Sequence, residues 1–245
     1  MRFLLLIATC TLLFSLEGLW PLQRYRGSRL RRALPNVALA AIVIAMNVLL
    51  SFLIAMVCRA VAVQQTALTV VIGIAALDLS SYAAHVALHR SPFAWRFHRV
   101  HHSENAVDVT TALRQHPGET LWRVLCQLAP IVLLGLPLSV VVVYLTLSSV
   151  NAQLEHANLR VPERLDRVLR WLFVTPNMHK VHHSRWQPET DSNYANIFAW
   201  WDRLFGTYTR TADVAALRYG LDGFDAPEVQ SFGGLLRLPF MGERS

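Results

Sequence analysis

Apolar runs alternate with short arginine-rich or histidine-rich stretches along most of the chain. The first run covers residues 3–20, and the second, residues 34–58, carries no charge. A third covers residues 67–88, and a fourth, also uncharged, covers residues 124–154. A helix needs about 20 mainly apolar residues to cross the hydrocarbon core of a bilayer. The pattern therefore predicts an all-α bundle of membrane-spanning helices.

The first apolar run has two interpretations, a signal peptide or a first span. It is long for a signal peptide, no A-x-A site closes it, and Trp20 suits the membrane interface, so we expect a retained span. The loop that follows holds five arginines, which mark the cytoplasmic side by the positive-inside rule. These are Arg24, Arg26, Arg29, Arg31 and Arg32. Counting spans from this loop places the end of the third run in the cytoplasm.

The composition supports a membrane protein. Hydrophobic residues make up 53% of the chain and charged residues 16%, and the mean hydropathy is +0.34. The net charge of +7 comes from residues beside apolar runs, so we assign it to membrane topology and expect no nucleic-acid partner. The three cysteines lie in apolar runs without CxxC spacing, which predicts neither disulfides nor a zinc ribbon. The preference for arginine over lysine fits a GC-rich bacterial genome, and we expect the bacterial inner membrane.

Two stretches outside the spans carry mixed apolar and polar patterns. Residues 162–173 interleave arginines with an apolar face, as in a helix lying in the membrane interface, although a core-packed amphipathic helix gives nearly the same pattern. Pro92 is placed to open a helix after the third span. Aromatic residues at 200–208 suit either an interfacial belt or a cap. We expect a cytosolic helical cap formed by residues 89–117 and 156–245.

Histidines provide the candidate chemistry. Residues three and four apart share one face of a helix, and His85 and His89 form such a pair. The motif HxxHH occurs twice, at residues 98–102 and 179–183. Neutral imidazole is a common ligand of iron, zinc and copper. Because this number of rings is too large for one ion, the spacing predicts a dinuclear site in which each metal takes four or five nitrogens.

The fourth apolar run is interrupted by Pro130 and by the tripeptide at residues 135–137. The interruption is either a kink in one long span or the tip of a helical hairpin. A single span would place the two HxxHH motifs on opposite sides of the membrane, so we favour a hairpin over residues 118–155. The hairpin brings His116 and His156 to the side of the other eight histidines. Taken alone, each of these two also fits an ordinary hydrogen-bonded histidine.

A series of motifs lies between Asp78 and Tyr208. It consists of DLSSY, HVALH, HRVHH, RQHPGE, QLEHANL, HKVHH, ETDSNY and WWDRLFGTY. The series resembles the sterol desaturase and fatty acid hydroxylase superfamily, specifically its bacterial sterol desaturase family members, and the likeness covers residues 1–240. The resemblance implies one integral membrane domain over residues 1–245, with about three spans plus the hairpin. It further implies a histidine-ligated di-iron centre that faces the cytosol and acts with O2 on lipid C–H bonds.

By this resemblance the histidines of the motifs are iron ligands: His85, His89, His98, His101, His102, His179, His182 and His183. The extra histidines, His116 and His156, are assigned the same role. Four polar residues are expected to hold the ligating rings by hydrogen bonds: Asp78, Asn158, Asp191 and Asn193. For Asp78, a polar residue that faces the bundle interior is an equal alternative. The chain departs from the family at Ala83 and Ala84, where many members have an aromatic residue after the tyrosine, and this affects the substrate channel.

The expected reaction is hydroxylation or desaturation of an alkyl C–H bond of a sterol, fatty acyl or ether lipid. The cofactor is two Fe ions, and O2 is the co-substrate. No GxGxxG and no haem or Fe–S spacing is present, so a ferredoxin, a cytochrome b5-like protein or a reductase is expected to supply electrons. A membrane-embedded zinc hydrolase is an alternative, with Glu104, Glu119 and Glu155 as candidate bases. A metal transporter fits less well, because the histidines lie at span ends.

Overall fold

The computed structural model describes residues 2–242, and this part of the chain is helical without any extended strand. Six longer helices follow one another: α1 (Arg2–Leu19), α2 (Arg29–Val61), α3 (Ala67–Arg90), α4 (Pro92–His102), α5 (Pro117–Leu134) and α6 (Leu138–His156). Five short ones complete the set: α7 (Glu163–Leu169), α8 (Pro176–His182), α9 (Gln187–Thr190), α10 (Trp200–Leu204) and α11 (Phe232–Arg237). Single 3₁₀ turns lie at Val109–Leu113, Val214–Ala216 and Leu238–Phe240.

Within residues 2–242, four helices are long and apolar enough to cross a membrane: α1, α2, α3 and α6. The prediction of an all-α membrane helix bundle is therefore confirmed. Helix α5 is not among the four, because Glu119, Arg123 and Gln127 interrupt its apolar sequence. Helix α2 begins at Arg29 rather than at residue 34, because the side chain of Ser28 accepts a hydrogen bond from the backbone N–H of Arg31 and caps the helix.

The fourth apolar run forms two helices, α5 and α6, as the hairpin prediction requires. Gly135 ends α5 in the left-handed conformation, with φ of +58°, which glycine adopts without steric cost. Both hairpin helices pack against α3. Buried side chains from the three helices, including Leu77, Ile131 and Tyr144, form an apolar core that extends to Cys58 of α2. This core fixes the helices whose ends carry histidines.

Short helices and loops form a cap on the ends of α3, α4 and α6. The break between α3 and α4 falls at Ser91, whose side chain accepts from the backbone N–H of Ala94 while Pro92 opens α4. The predicted amphipathic helix at residues 162–173 is shorter, since α7 spans Glu163–Leu169. Its apolar residues Leu165 and Val168 are exposed, so this helix is not packed into the core.

Candidate metal centre

Five histidines from three helices direct ring nitrogens toward one point. They are His85 and His89 of α3, His98 and His102 of α4, and His182 of α8, and their nearest nitrogens all lie within 4.8 Å of one another. The Nε2 atom of His98 lies 3.0 Å from Nε2 of His85 and 3.2 Å from Nε2 of His102. We call this set the five-histidine group.

Four further histidines converge in the same way, and we call them the four-histidine group. They are His101 of α4, His156 at the end of α6, His179 of α8 and His183 directly after α8. The Nε2 atom of His156 lies 3.0 Å from Nε2 of His101, 3.0 Å from Nε2 of His179 and 3.0 Å from Nε2 of His183. Each HxxHH motif therefore contributes to both groups, because its outer residues, four apart, share a face while its middle residue points elsewhere.

The two groups adjoin. The rings of His102 and His183, one from each group, are stacked with centroids 4.7 Å apart. The rings of His179 and His182 are 5.1 Å apart. The arrangement is thus one continuous cluster of nine imidazoles with two centres of convergence.

Backbone carbonyls fix the proton on several of these rings. Nδ1 of His156 lies 2.6 Å from the carbonyl oxygen of Ala152, and Nδ1 of His101 lies 3.3 Å from that of Arg114. A carbonyl oxygen only accepts hydrogen bonds, so both Nδ1 atoms donate, and the Nε2 atom of each neutral ring is left with a lone pair. Two such lone pairs 3.0 Å apart repel each other unless a cation lies between them.

The donor set therefore fits a bound metal ion. Two nitrogens that each lie about 2.1 Å from one ion, at right angles, are about 3.0 Å from each other, which is the separation found in both groups. The five-histidine group has the same tautomer pattern. Nδ1 of His85 donates to the carbonyl oxygen of Tyr194 at 2.8 Å, and Nδ1 of His182 donates to that of Ser192 at 2.7 Å.

Carboxylates hold two other rings of the five-histidine group. Nδ1 of His98 lies 3.0 Å from Oε1 of Glu119, and Nδ1 of His89 lies 3.2 Å from Oδ1 of Asp191. Glu119 also accepts from Nε of Arg123 at 2.8 Å. A carboxylate on the far nitrogen orients a ligating imidazole and makes it more basic.

Burial keeps the cap histidines neutral, which is the form that binds metals. It lowers the pKa of His98 to about 4. For the other five, burial holds the pKa well below its ordinary value: His101, His102, His179, His182 and His183. These rings are unprotonated at neutral pH.

His116 lies outside both groups. Its Nδ1 atom accepts a hydrogen bond of 3.1 Å from the backbone N–H of Gly118, so the side chain caps α5. Its ring packs against Phe97, with centroids 5.3 Å apart, and against Phe240. The end of α6 carries His156 into the four-histidine group. His116, at the start of α5, lies away from both groups.

Of the four polar residues expected to hold the rings, Asp191 contacts a histidine, while Asp78 does not. The carboxylate of Asp78 faces the bundle interior and accepts from the backbone N–H groups of Ile197 at 3.1 Å and Phe198 at 3.0 Å. It also accepts from Nε1 of Trp201 at 3.0 Å. The interior alternative stated for Asp78 matches this arrangement.

The two asparagines hold loops rather than rings. The side chain of Asn158 bonds the backbone of Gln23, donating to the carbonyl at 2.8 Å and accepting from the N–H at 3.0 Å. Asn193, with φ of +52°, donates to the carbonyls of Met178 and Thr209. These bonds position the loops on either side of α8.

Sequence reasoning missed most partners of the rings. The sequence suggests Glu119 only as a candidate base of a hydrolase, because nothing in its spacing links it to His98, which lies on another helix. The carbonyls of Arg114, Ala152, Ser192 and Tyr194 carry no side-chain signal at all. Only the three-dimensional arrangement of the helices reveals these contacts.

Comparison with known proteins places the chain in a family. Residues 70–207 match the model of the family described as fatty acid hydroxylase. The chain is 32% identical over 160 residues to ornithine lipid hydroxylase OlsE of Rhizobium tropici, covering 64% of this chain and 46% of that protein. It is 31% identical over 158 residues to alkylglycerol monooxygenase of Homo sapiens, covering 63% of this chain and 34% of that protein.

A third relative is methylsterol monooxygenase erg25A of Aspergillus fumigatus, 32% identical over 135 residues, covering 53% of this chain and 43% of that protein. The matched regions thus span between about a third and a half of these curated relatives. No solved structure matches the chain. The family model covers more than half of the chain and includes all nine histidines of the two groups.

Eight of these histidines lie in HxxxH and the two HxxHH motifs, and His156 is the ninth, so the whole cluster lies within the matched residues. The chain belongs to the fatty acid hydroxylase family.

Proposed function

We propose that the chain is a membrane-bound, O2-dependent di-iron oxygenase that hydroxylates or desaturates an alkyl C–H bond of a lipid. The observation that carries this proposal is the pair of adjoining histidine groups, with five and four converging nitrogens. Membership of the fatty acid hydroxylase family supports it. So do the relatives, whose names describe hydroxylation or monooxygenation of an ornithine lipid, an alkylglycerol and a methylsterol.

In this proposal the five-histidine group holds one iron and the four-histidine group holds the other. Imidazole suits iron as well as zinc and copper, but five nitrogens in one group exceed the four ligands of a structural zinc site. When bound, the iron pair supplies the activation of O2 and the oxidising power that removes hydrogen from a C–H bond. His116 caps α5 and is left out of this ligand set.

The protein's own contribution is to orient the rings and to exclude water. Carbonyl oxygens and the carboxylates of Glu119 and Asp191 hold the far nitrogens of the rings, so the Nε2 lone pairs face inward. The side chains of His98 and His89 are fully buried. Burial also keeps the cap rings neutral, so that no proton competes for the inward nitrogens at neutral pH.

The substrate in this proposal is a membrane lipid, of the sterol, fatty acyl or ether lipid class. Electrons come from a ferredoxin, a cytochrome b5-like protein or a reductase. In this proposal the metal centre faces the cytoplasm at a bacterial inner membrane, which the arginine-rich loop at residues 24–32 supports. Residues 1–245 act as one domain, since the two histidine groups draw on α3, α4, α6 and α8 together.

The zinc hydrolase alternative requires a carboxylate that is free to act as a base. Glu119 is bonded to Arg123 and lies against His98. Glu104 accepts from Asn36 at 3.0 Å and from Arg114 at 3.4 Å. These pairings engage two of the three candidate bases in holding the structure. The third, Glu155, lies 3.8 Å from Nε2 of His179, so the metal content decides between the two functions.

Metal analysis of the detergent-purified protein, from cells grown with labelled iron, tests the proposal. We expect about two irons per chain, magnetically coupled in the Mössbauer spectrum of the oxidised protein. His156→Asn removes the nitrogen on which the four-histidine group is centred, so about half of the iron is lost. Stoichiometric zinc without iron, after anaerobic purification and iron supplementation, would overturn the oxygenase and favour the hydrolase.

His116→Asn is the matched control for this experiment. Asparagine retains a side-chain oxygen that accepts from the N–H of Gly118 and is a favoured helix cap. Because His116 lies outside both groups, this variant is expected to retain the full iron content. Loss of iron from His116→Asn, equal to that from His156→Asn, would contradict the assignment of the two groups.

A further inference from the structure

Two segments of the cap pair with each other and carry a row of aromatic side chains. The backbone N–H of Val174 donates to the carbonyl of Ile197 at 2.9 Å, and that of Ala199 donates to the carbonyl of Leu172 at 3.0 Å. Phe173 and Phe198 form a bridge between these two bonds. We call residues 171–174 and 197–201 the aromatic ribbon. This pairing gives some of the backbone N–H and carbonyl groups of the ribbon hydrogen-bond partners.

The aromatic ribbon is attached to the membrane helices rather than to the cap alone. Asp78 of α3 accepts from the backbone N–H groups of Ile197 and Phe198, and from the indole of Trp201. Just before the ribbon, Nδ2 of Asn196 donates to Oγ of Ser148 of α6 at 2.9 Å. Ile197 is buried in the apolar core of the membrane helices.

The attachment points lie far along these helices. Asp78 is eleven residues after Ala67, the first residue of α3, and a rise of 1.5 Å per residue makes this about 16 Å. Ser148 is ten residues after Leu138, the first residue of α6, or about 15 Å. Both starting residues lie at the ends of the helices opposite the histidines. When the hydrocarbon core, about 30 Å thick, is taken to begin at the first residues of these two helices, both attachment points fall near its middle.

The outer face of the aromatic ribbon is apolar and uncovered. Trp171 is 68% exposed and Trp200 is 38% exposed. Trp200 stacks on Phe198 with ring centroids 4.4 Å apart. The guanidinium of Arg203 lies 4.8 Å from the centre of the Trp171 ring, which shields this charge by a cation–π contact.

From these observations we infer that the aromatic ribbon is a re-entrant segment, inserted into the hydrocarbon core with its aromatic face against lipid acyl chains. Non-helical backbone is stable at this depth only when its polar groups have partners inside the protein. Asp78 and the pairing of the two segments supply such partners. The inference rests on the depth of the attachment points and does not depend on the proposed oxygenase activity.

The aromatic ribbon also lies close to the metal centre. The backbone carbonyl of Tyr194, three residues before Ile197, accepts from Nδ1 of His85. The ring of Tyr194 lies 5.0 Å from that of His89. The loop that leads into the ribbon therefore also holds a ring of the five-histidine group.

Spin labelling in lipid bilayers measures the depth directly. In a background with the three cysteines replaced, a label is placed at one position at a time: Trp171→Cys, Trp200→Cys, Val71→Cys or Asp222→Cys. Val71 is exposed on the membrane helix α3, and Asp222 is exposed on the cap. Labels at 171 and 200 should collide several-fold more often with oxygen than with a water-soluble nickel chelate. The label at 71 should show the same preference. A nickel accessibility equal to that at 222 would overturn the inference.

The attachment itself is tested with Asp78→Asn in the Trp200→Cys protein. Both carboxylate oxygens of Asp78 accept from N–H groups, whereas asparagine offers only one acceptor oxygen. The ribbon should therefore be held less firmly, and the label should become several-fold more accessible to the nickel chelate. Trp201→Phe is the matched control, since it removes only the indole bond and should leave the label deep. An unchanged depth in Asp78→Asn would overturn the role of Asp78. Whether the ribbon is inserted is decided separately, by the depth of the labels at 171 and 200 in the protein that keeps Asp78.

Discussion

At His98, the ring nitrogen that faces away from the five-histidine group lies 3.0 Å from Oε1 of Glu119. Both side chains are buried, so this contact is little screened by solvent. The carboxylate favours the tautomer in which Nδ1 carries the proton and Nε2 faces the group with its lone pair. A residue of this kind orients a histidine ring without contributing a nitrogen to the group.

Glu119→Gln keeps the shape of the side chain and removes its charge. We expect the affinity of the five-histidine group for iron to fall by about 10-fold to 100-fold, the usual effect of losing a partner behind a ligating histidine. Competition with a chelator, followed by iron analysis, measures this affinity. The readout is metal affinity, so it does not depend on knowing the substrate.

The control for Glu119→Gln is Arg123→Gln. It removes the bond between Arg123 and Glu119, 2.8 Å long, but leaves the carboxylate beside His98. We expect this variant to retain most of its iron affinity. Equal losses in both variants would show that the ion pair, and not the contact with His98, supports the centre.

At the scale of elements, the turn between α5 and α6 reverses the chain, so that His156 at the end of α6 meets the histidines of α4 and α8. The carbonyl of Gly135 in this turn accepts from the backbone N–H of Val63 at 2.9 Å, which ties the hairpin tip to the end of α2. A methyl group on Gly135 would lie 2.6 Å from the carbonyl oxygen of Val61. Neither the positive φ nor this close approach tolerates a side chain.

Gly135→Ala is therefore expected to destabilise the protein by about 1–3 kcal/mol, from the left-handed backbone and the clash together. Thermal unfolding in detergent, followed by tryptophan fluorescence, measures the change. Gly233→Ala is the matched control, because Gly233 lies in the short helix α11 and a methyl group there meets no atom within 4 Å. A midpoint for Gly135→Ala equal to that of Gly233→Ala would contradict the strained turn.

At the scale of the whole molecule, periodic features were predictable from the sequence and long-range pairings were not. Apolar run lengths and the i, i+3, i+4 spacing of histidines reflect local helix geometry, which sequence records directly. The hairpin followed from requiring His98 and His182 to lie on one side of the membrane. The split of each HxxHH motif between two groups depends on how α4 and α8 face each other, and spacing alone does not specify it.

Buried polar contacts between distant parts of the chain account for most of what was missed. The guanidinium of Arg114 is buried among Glu104, Asn36 of α2 and Gln230 near the end of the chain. Arg114 and Gln230 are 116 residues apart. Asp78 likewise bonds a loop 120 residues away at Phe198. No local pattern predicts such partners, because each is an isolated polar residue whose acceptor or donor lies on another element.

Acidification is expected to destabilise the metal-free protein as a whole. Burial lowers the pKa of His98 to about 4 and holds the pKa of the other cap histidines well below its ordinary value, about 6.5. On unfolding these rings recover the ordinary pKa, so below about pH 6.5 the unfolded state binds more protons than the folded state. The contribution of these histidines to the free energy of unfolding is therefore complete above that pH and is lost as the pH falls.

Each such histidine contributes a slope of up to about 1.4 kcal/mol per pH unit between its folded and unfolded pKa values. Burial raises the pKa of Asp108 and Asp202, which acts in the opposite direction but involves fewer groups. Unfolding midpoints of metal-free protein in detergent, from about pH 7.5 to about pH 5, should therefore fall steadily. Iron-loaded protein should fall less, because bound metal excludes the proton from the same nitrogens. A metal-free midpoint that stayed level or rose on acidification would show that the rings are not held neutral by the fold.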